Sequence, residues 1–300
     1  MLFDKKNGGS SELAELTGQW YASTPYRLIG SEIDFAKREV ASLVGSDVVS
    51  AAESEYESGQ AASGFVNAVR LPIAFLAISR YAALSVVSHE GTGRKVKMDD
   101  NEKMPFEWMI DRDDRAMKER YYRAMDSLYE YLDGNKVKAW VSSGMKKALS
   151  ESIVPSLTEF ERVYPIDGSY YVYYKLQRLV IEAQKIELEP FFGDAWKDIR
   201  SNDQLLYLAR PYAILRAVTM AASRWSLEVF PLEIAKRFSV SYQGNRESSA
   251  AVSGEIDWYL GKLEKQIKDL RHKIRLSIDG AAEEKLLPEN DSSNKFFTVL

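Results

Sequence analysis

Residues Pro72–Ala83 read PIAFLAISRYAA, and residues Pro211–Ala222 read PYAILRAVTMAA. Five aligned pairs are identical and lie 139 residues apart: Pro72/Pro211, Ala74/Ala213, Leu76/Leu215, Ala82/Ala221 and Ala83/Ala222. Both stretches are rich in alanine and leucine and carry few charges, which is typical of buried helices. Because Phe65–Val69 and Leu205–Leu208 already have a helical pattern, we expect each proline to kink a helix that is already running. The sequence therefore predicts one long central helix in each half of the chain.

A second pair of segments repeats the same offset. In the first half an apolar seam with helical spacing comprises Met117, Tyr121, Ala124, Leu128 and Tyr131. In the second half the matching seam comprises Ile256, Leu260, Leu263, Ile267 and Leu270, and it continues to Ile274. We interpret the shared offset as an internal duplication, with a first helical repeat at 16–145 and a second at 155–278.

Each repeat is predicted to hold a small β insertion before its last helix. Arg94–Met98 and Phe238–Tyr242 alternate apolar and polar residues beside glycines, which indicates a strand or a hairpin. The predicted fold class is therefore mainly α: two tandem helical-bundle repeats, each with a β-hairpin or strand insertion. A flexible arm is expected at 1–15 and a polar tail at 279–300, ending in an apolar patch that contains Phe296 and Phe297.

The composition excludes several classes of site. The chain has 300 residues, 45% of them hydrophobic and 28% charged, which suits a globular protein with a substantial core. It has no cysteine, so disulfides, zinc–thiolate sites, iron–sulfur clusters and cysteine nucleophiles are ruled out. The net charge of −4 lacks the basic excess usual for binding to a phosphate backbone. No signal peptide is indicated, and the longest apolar run, 71–87, is interrupted by polar residues, so we expect a soluble protein without a membrane span.

Catalytic motifs are not found in the sequence. The two histidines, His89 and His272, are far apart, and no metalloprotease, di-iron or hydrolase-elbow motif occurs. The glycine-rich stretch at 90–95 leads into a predicted strand rather than a helix, which does not suit a phosphate-binding loop. The acidic runs at 99–102 and 111–114 lack the spacing of a calcium loop. We therefore predict no cofactor, no metal site and no enzymatic activity.

The strongest local basic cluster comprises Arg94, Lys95 and Lys97. On an alternating strand Lys95 and Lys97 point the same way and form a short positive face. That face could meet nucleic acid or an acidic partner, or it could protect the edge of a strand, a role in which lysine is common. The candidate partner or oligomer contacts are this cluster, the second seam and the tail: Arg94, Lys95, Lys97, Ile256, Leu260, Leu263, Ile267, Leu270, Ile274, Phe296 and Phe297.

The order of elements in each half resembles the head–tail connector proteins of tailed bacteriophages, also called adaptor or head-completion proteins. The stretch EGTGRKVKMDDNEKMPFEWMIDRDDR, Glu90–Arg115, is similar to uncharacterised structural proteins of crAss-like and related Bacteroidetes phages. The resemblance implies a twelve-fold homo-oligomeric ring at the head–tail junction of the virion, formed from subunits made in the host cytoplasm. It also implies contacts with the portal protein and with tail or other ring proteins, and DNA passing through without sequence-specific binding. A duplicated unit departs from the usual single-domain connector.

Two other functions stay open. The chain could be a helical adaptor that binds a partner through the amphipathic helix Glu255–Arg275, or an enzyme with an unrecognised carboxylate site. The adaptor would form a soluble complex without rings, and the enzyme would require a buried cluster of acidic residues.

Overall fold

The chain is mainly helical, as the sequence predicts. The computed structural model describes residues 2–3, 8–86, 88–90, 93–95, 106–224 and 253–279. Among these residues two compact units separate. The first runs to Ser150 and includes Ser169–Tyr174; the second comprises Glu151–Gly168 and the residues from Lys175 onward.

The first unit is formed mainly by helices from the first half of the chain. Its described α-helices are α1 (Gly9–Thr17), α2 (Gly30–Val44), α3 (Ser46–Glu57), α4 (Gly64–Ser85), α5 (Glu107–Gly134), α6 (Lys138–Val141) and α7 (Gly144–Leu149). A short 3-10 turn covers Tyr26–Leu28.

The second unit is built around two long helices and a run of short elements. Its described elements are α8 (Leu157–Glu161), α9 (Tyr170–Ala183), a π-helical turn (Gln184–Leu188), α10 (Glu189–Phe192), a 3-10 segment (Gly193–Ser201), α11 (Asp203–Arg224) and α12 (Ser253–Asp279). The first turn of α9 belongs to the first unit and the rest to the second. The predicted repeats, 16–145 and 155–278, divide the chain near the same place; that the units are copies of one another stays a prediction.

Helix α4 is the centre of the first unit. It begins after Ser63, whose hydroxyl accepts a hydrogen bond from Val66 N at 3.1 Å, and it continues through Pro72 as predicted. It packs against α1, α2, α3 and α5. Helix α5 runs antiparallel to it, because Phe65 stacks on Tyr131 near one end and Phe75 lies under Arg120 nearer the other. Helix α4 is also long and apolar enough to cross a membrane, a test that a buried core helix passes as well.

Residues 9–15, predicted to belong to a flexible arm, are instead helical and packed. Ser10 and Leu13 of α1 are buried on the first unit, and Phe3 is buried as well. The glycines and serines at 8–11 suggest flexibility, but they are small enough to let α1 lie close to its neighbours. Burial of Leu13 and Phe3 outweighs the weak helix propensity of the stretch.

A buried arginine connects α1 to α4. The guanidinium of Arg70 donates a hydrogen bond to Glu12 Oε2 at 2.8 Å and lies over the rings of Phe3 and Tyr56, at 4.7 and 5.2 Å from their centroids. Tyr56 also donates to Glu12 Oε1 at 2.8 Å. A buried guanidinium must be paired with an anion, because burying an isolated charge is very costly. The carboxylate of Glu12 therefore offsets the cost of burying the Arg70 guanidinium between α1 and α4.

A second polar cluster closes the far end of α5. The carboxylate of Asp133 accepts hydrogen bonds from Trp140 Nε1 and Lys146 Nζ, each at 2.7 Å, and from the hydroxyl of Tyr174. Burial, followed by the hydrogen bond to Asp133, raises the pKa of Tyr174 well above its ordinary value, so this phenol is a donor and not a base. The cluster joins α5, α6, α7 and the start of α9 within the first unit.

In the second unit, side-chain amides replace backbone pairing for an extended segment. Gln184 accepts from Ile153 N at 3.0 Å and donates to Glu151 O at 3.2 Å, and Gln177 donates to Val154 O at 3.1 Å. These buried glutamines help to satisfy the backbone groups of the segment; Glu151 O and Val154 O also accept hydrogen bonds from Arg200 and Ser152. Helix α11 packs against α12, and it continues through Pro211 as predicted.

The described β structure is one short antiparallel pairing between β1 (Ser88–Glu90) and β2 (Gly93–Lys95). Each strand has three residues, so this is a minimal two-stranded pairing. The remainder of the predicted strand at Arg94–Met98 and the whole of Phe238–Tyr242 lie outside the described residues. A β insertion in each half therefore stays a prediction.

The contact between Glu12 and Arg70 generates a stability prediction. Glu12→Gln removes the anion from a guanidinium whose side chain is only 6% exposed. Breaking a buried pair by removing one partner costs roughly 3–5 kcal/mol; we expect about 2–3 kcal/mol here, since Glu12 itself is partly exposed. Urea unfolding followed by circular dichroism measures the loss. Glu15→Gln, an exposed change on the same helix, is the control and should leave the midpoint unchanged. Equal midpoints for the two variants would contradict this account of Arg70.

Candidate functional site

We find no cluster of catalytic or metal-binding side chains in the part of the chain that the structure describes. No group of three or more acidic, histidine or cysteine side chains is placed to hold a metal ion among the described residues. The buried tyrosines of the first unit, such as Tyr171 and Tyr174, have pKa values raised by burial and stay protonated.

An open cavity of about 440 Å³ lies in the second unit. Its lining residues come from the π-helical turn, α10, α11 and α12: Ile186, Glu187, Pro190, Phe191, Arg216 and Arg271. The local sequence explains the π turn, because Pro190 has no N–H to donate to the carbonyl of Ile186 four residues earlier. The chain widens to a π turn at this point instead of continuing as a regular α-helix.

Arg216 joins three elements at the cavity. Its Nε donates to Glu187 Oε1 on the π turn, and its Nη1 donates to Glu264 Oε1 on α12, each at 2.7 Å. Tyr212 donates to the other oxygen of Glu187, also at 2.7 Å. Burial of the phenol, followed by its hydrogen bond to Glu187, raises the pKa of Tyr212 to about 12. Glu187 and Arg216 thus neutralise one another and position the π turn on α11.

Two further arginines beside the cavity have no such partner. The guanidinium carbons of Arg271 and Arg275 lie 5.0 and 5.9 Å from the centroid of the Phe191 ring. No ion pair joins either of them to a carboxylate within the described residues. Like charges four residues apart on a helix repel, so this pair favours binding of an anion. One side of the cavity therefore presents uncompensated positive charge next to an apolar surface.

The first unit has a different surface, which we call the apolar end. Helices α4 and α5 are antiparallel, so the end of α4 and the start of α5 lie at the same end of the pair. Five large exposed apolar side chains occur there: Leu84, Val86, Phe106, Trp108 and Met109. Phe106 and Trp108 are 67% and 58% exposed. Clusters of exposed apolar residues of this kind mark interaction sites in soluble proteins.

The predicted contact residues of α12 mainly serve the core of the second unit. Leu263, Ile267 and Ile274 are buried because α12 packs on α11, and Leu260 and Leu270 are half-buried beside them. A partner would meet the other faces of this helix. Ile256 lies in α12, but its side chain is outside the described set.

The other predicted contacts are at the limit of the described chain. Arg94 and Lys95 belong to β2, where only the backbone is described. Lys97, Phe296 and Phe297 lie outside the described residues. Their role as contacts stays a prediction.

Sequence reasoning missed the residues that line the cavity. Glu187, Arg216 and Phe191 are separated by up to 29 positions and share no motif. The one local indication was Pro190 directly after an apparently helical stretch, which predicts an interruption there. Arg271 lies outside the apolar seam of its helix and is exposed, but the ring of Phe191 beneath it leaves no signal in the sequence.

The raised pKa of Tyr212 generates a prediction about pH. Tyrosine ionises near pH 10 in the unfolded chain, whereas Tyr212 in the folded chain stays protonated up to about pH 12. Its contribution to stability is therefore complete below pH 10 and is lost as the pH rises from 10 to 12. In Tyr212→Phe, the urea midpoint should fall less between pH 9 and 11.5 than it does in the native chain.

The control for this measurement is Tyr207→Phe, at an exposed position on the same helix. It should show the pH dependence of the native chain, because the other tyrosines are unchanged. If Tyr212→Phe and Tyr207→Phe lose stability in parallel, burial of Tyr212 against Glu187 does not contribute to the alkaline transition.

Comparison with known proteins adds no family to this description. No protein-family model, no curated protein and no solved structure matches the chain.

Proposed function

We propose that the chain is a structural subunit that associates with copies of itself, forming the ring at the head–tail junction of a tailed bacteriophage. The resemblance of Glu90–Arg115 and of the order of elements to connector proteins suggests the particle. Self-association is supported chiefly by the exposed apolar side chains at the apolar end of the first unit. The proposal gives the chain a building role and no catalytic one.

The apolar end has the composition of a contact surface. Its residues include tryptophan, phenylalanine and methionine, which are enriched in protein–protein interfaces. Transfer of apolar surface from water stabilises association by roughly 25 cal/mol per Å², and the large exposed side chains at this end offer such area. Acidic and basic residues of α5, among them Asp111 and Arg112, follow directly and could form a polar rim.

The long helices support a duplicated design for the subunit. Helices α4 and α11 both have 22 residues, and both their first and last residues are 139 positions apart. Pro72 and Pro211 each occupy the ninth position. The cap is matched too: Asn202 Oδ1 accepts from Leu205 N at 3.1 Å, as Ser63 accepts from Val66 N. These correspondences favour two tandem copies of one helical unit, each with a small β insertion.

On this proposal the assembled ring surrounds a channel for DNA. The net charge of −4 gives the subunit no general basic excess with which to hold the phosphate backbone. DNA would therefore pass without sequence-specific binding, while portal and tail proteins contact the faces of the ring.

The apolar end generates a prediction about assembly. The native chain should form a closed oligomer many times the mass of its 34.1 kDa monomer, visible as an annulus by negative-stain microscopy. Trp108→Lys places a charge at the contact and should convert the oligomer to monomer, lowering the apparent affinity at least tenfold. Mass photometry over a range of concentrations measures both.

Tyr207→Lys is the matched control, because it changes an aromatic residue that is 77% exposed on the second unit. It should assemble like the native chain. A native chain that stays monomeric at tens of micromolar would contradict the ring and favour the helical adaptor. If Trp108→Lys still forms the oligomer, the contact between subunits does not lie at the apolar end.

A further inference from the structure

We propose that residues 280–300 fold back onto the cavity of the second unit of their own chain, held by Arg271 and Arg275. This inference goes beyond the ring proposal and does not depend on it. It assigns an occupant to the cavity and a role to two arginines that have no carboxylate partner among the described residues.

The charges of this segment complement those beside the cavity. Residues 280–300 contain Glu283, Glu284, Glu289 and Asp291 against Lys285 and Lys295, so the segment carries two more negative than positive charges. Arg271 and Arg275 present two positive charges on one face of α12, over the ring of Phe191. Carboxylates form charge-assisted hydrogen bonds with guanidinium groups and would relieve the repulsion between these two.

The apolar residues of the segment also match the lining of the cavity. Beside the arginines the cavity is lined by Ile186, Pro190 and Phe191, and Ile186 is 64% exposed. The segment supplies Phe296 and Phe297 behind its acidic stretch. A cavity of about 440 Å³ is within the range that binds small ligands and is large enough for aromatic side chains. An acidic stretch followed by two aromatic residues thus matches an arginine pair bordering an apolar cavity.

Reach decides between the chain's own segment and that of a second copy. The segment starts directly after Asp279, the last residue of α12, which is four residues past Arg275 and eight past Arg271. At 1.5 Å per residue the arginines lie about 6 and 12 Å back along the helix, and ten extended residues span up to roughly 33 Å. A short tether gives an effective concentration near the millimolar range, so the chain's own segment prevails over a second copy at micromolar concentration.

The absence of cysteine from the chain allows a direct test. Ile186→Cys with Thr298→Cys places one thiol at the cavity and one beside Phe297. After mild oxidation of the full-length chain at low micromolar concentration, we expect a disulfide within one chain. Mixed heavy- and light-isotope chains analysed by mass spectrometry distinguish a bond within a chain from one between chains. The control pair, Tyr207→Cys with Thr298→Cys, should close at least tenfold more slowly.

Charge reversal tests the role of the arginines. Arg271→Glu with Arg275→Glu, added to the Ile186→Cys/Thr298→Cys pair, should slow disulfide formation about tenfold. Adding Glu283→Lys with Glu284→Lys should restore the rate, which a merely misfolded variant would not show; circular dichroism checks the fold. Carrying out the test with Trp108→Lys also present keeps the apolar end out of the result.

Three results would overturn the proposal. A disulfide formed mainly between heavy and light chains would assign the cavity to a second copy. Equal rates for the Ile186 and Tyr207 pairs would show that the segment does not select the cavity. A rate unchanged by reversal of Arg271 and Arg275 would remove the arginines from the contact.

Discussion

Each central helix carries an arginine that the fold must neutralise. In α4 this is Arg70, and in α11 it is Arg216. Burying a guanidinium without an anion costs much free energy, which applies fully to Arg70, with 6% of its side chain exposed, and less to Arg216, with 30% exposed. Each arginine helps to position the element that packs beside its helix. Arg70 requires Glu12 and so holds α1 in place, whereas Arg216 requires Glu187 and Glu264 and so holds the π turn and α12. Arg210 does the same for α8 through Glu159.

The local sequence pattern was sufficient to predict the central helices, but it was not sufficient to predict the elements that pack around them. The Ala- and Leu-rich stretches at 72–83 and 211–222 predict buried helices, and both helices run through their prolines as predicted. The helix of residues 9–17 was missed, because its glycines and serines suggest flexibility while its stability comes from Leu13 and from Glu12, whose partner is 58 positions away. An ion pair between residues so far apart in the sequence forms only in the folded chain, and no periodic pattern in the sequence indicates it.

The same distinction holds for the candidate site. Of the predicted seam of α12, Leu263, Ile267 and Ile274 are buried, but periodicity does not tell which surface covers them, and α11 does so. The cavity could not be predicted, since it depends on a π turn and on a ring, Phe191, that meets arginines 80 and 84 positions later. Surfaces that stay exposed after folding, such as the apolar end and this arginine pair, are where association is best sought.

The π turn has a consequence for how this chain tolerates change. Successive residues of an α-helix are about 100° apart, so one additional residue in a turn rotates everything beyond it by that angle. Deleting Gln184, Lys185 or Ile186 would rotate Glu187 by about this angle relative to α9 and direct its carboxylate away from Tyr212 and Arg216. The number of residues in the turn is therefore constrained as well as their type, and related sequences that keep the cavity should keep the length of the segment between α9 and α11.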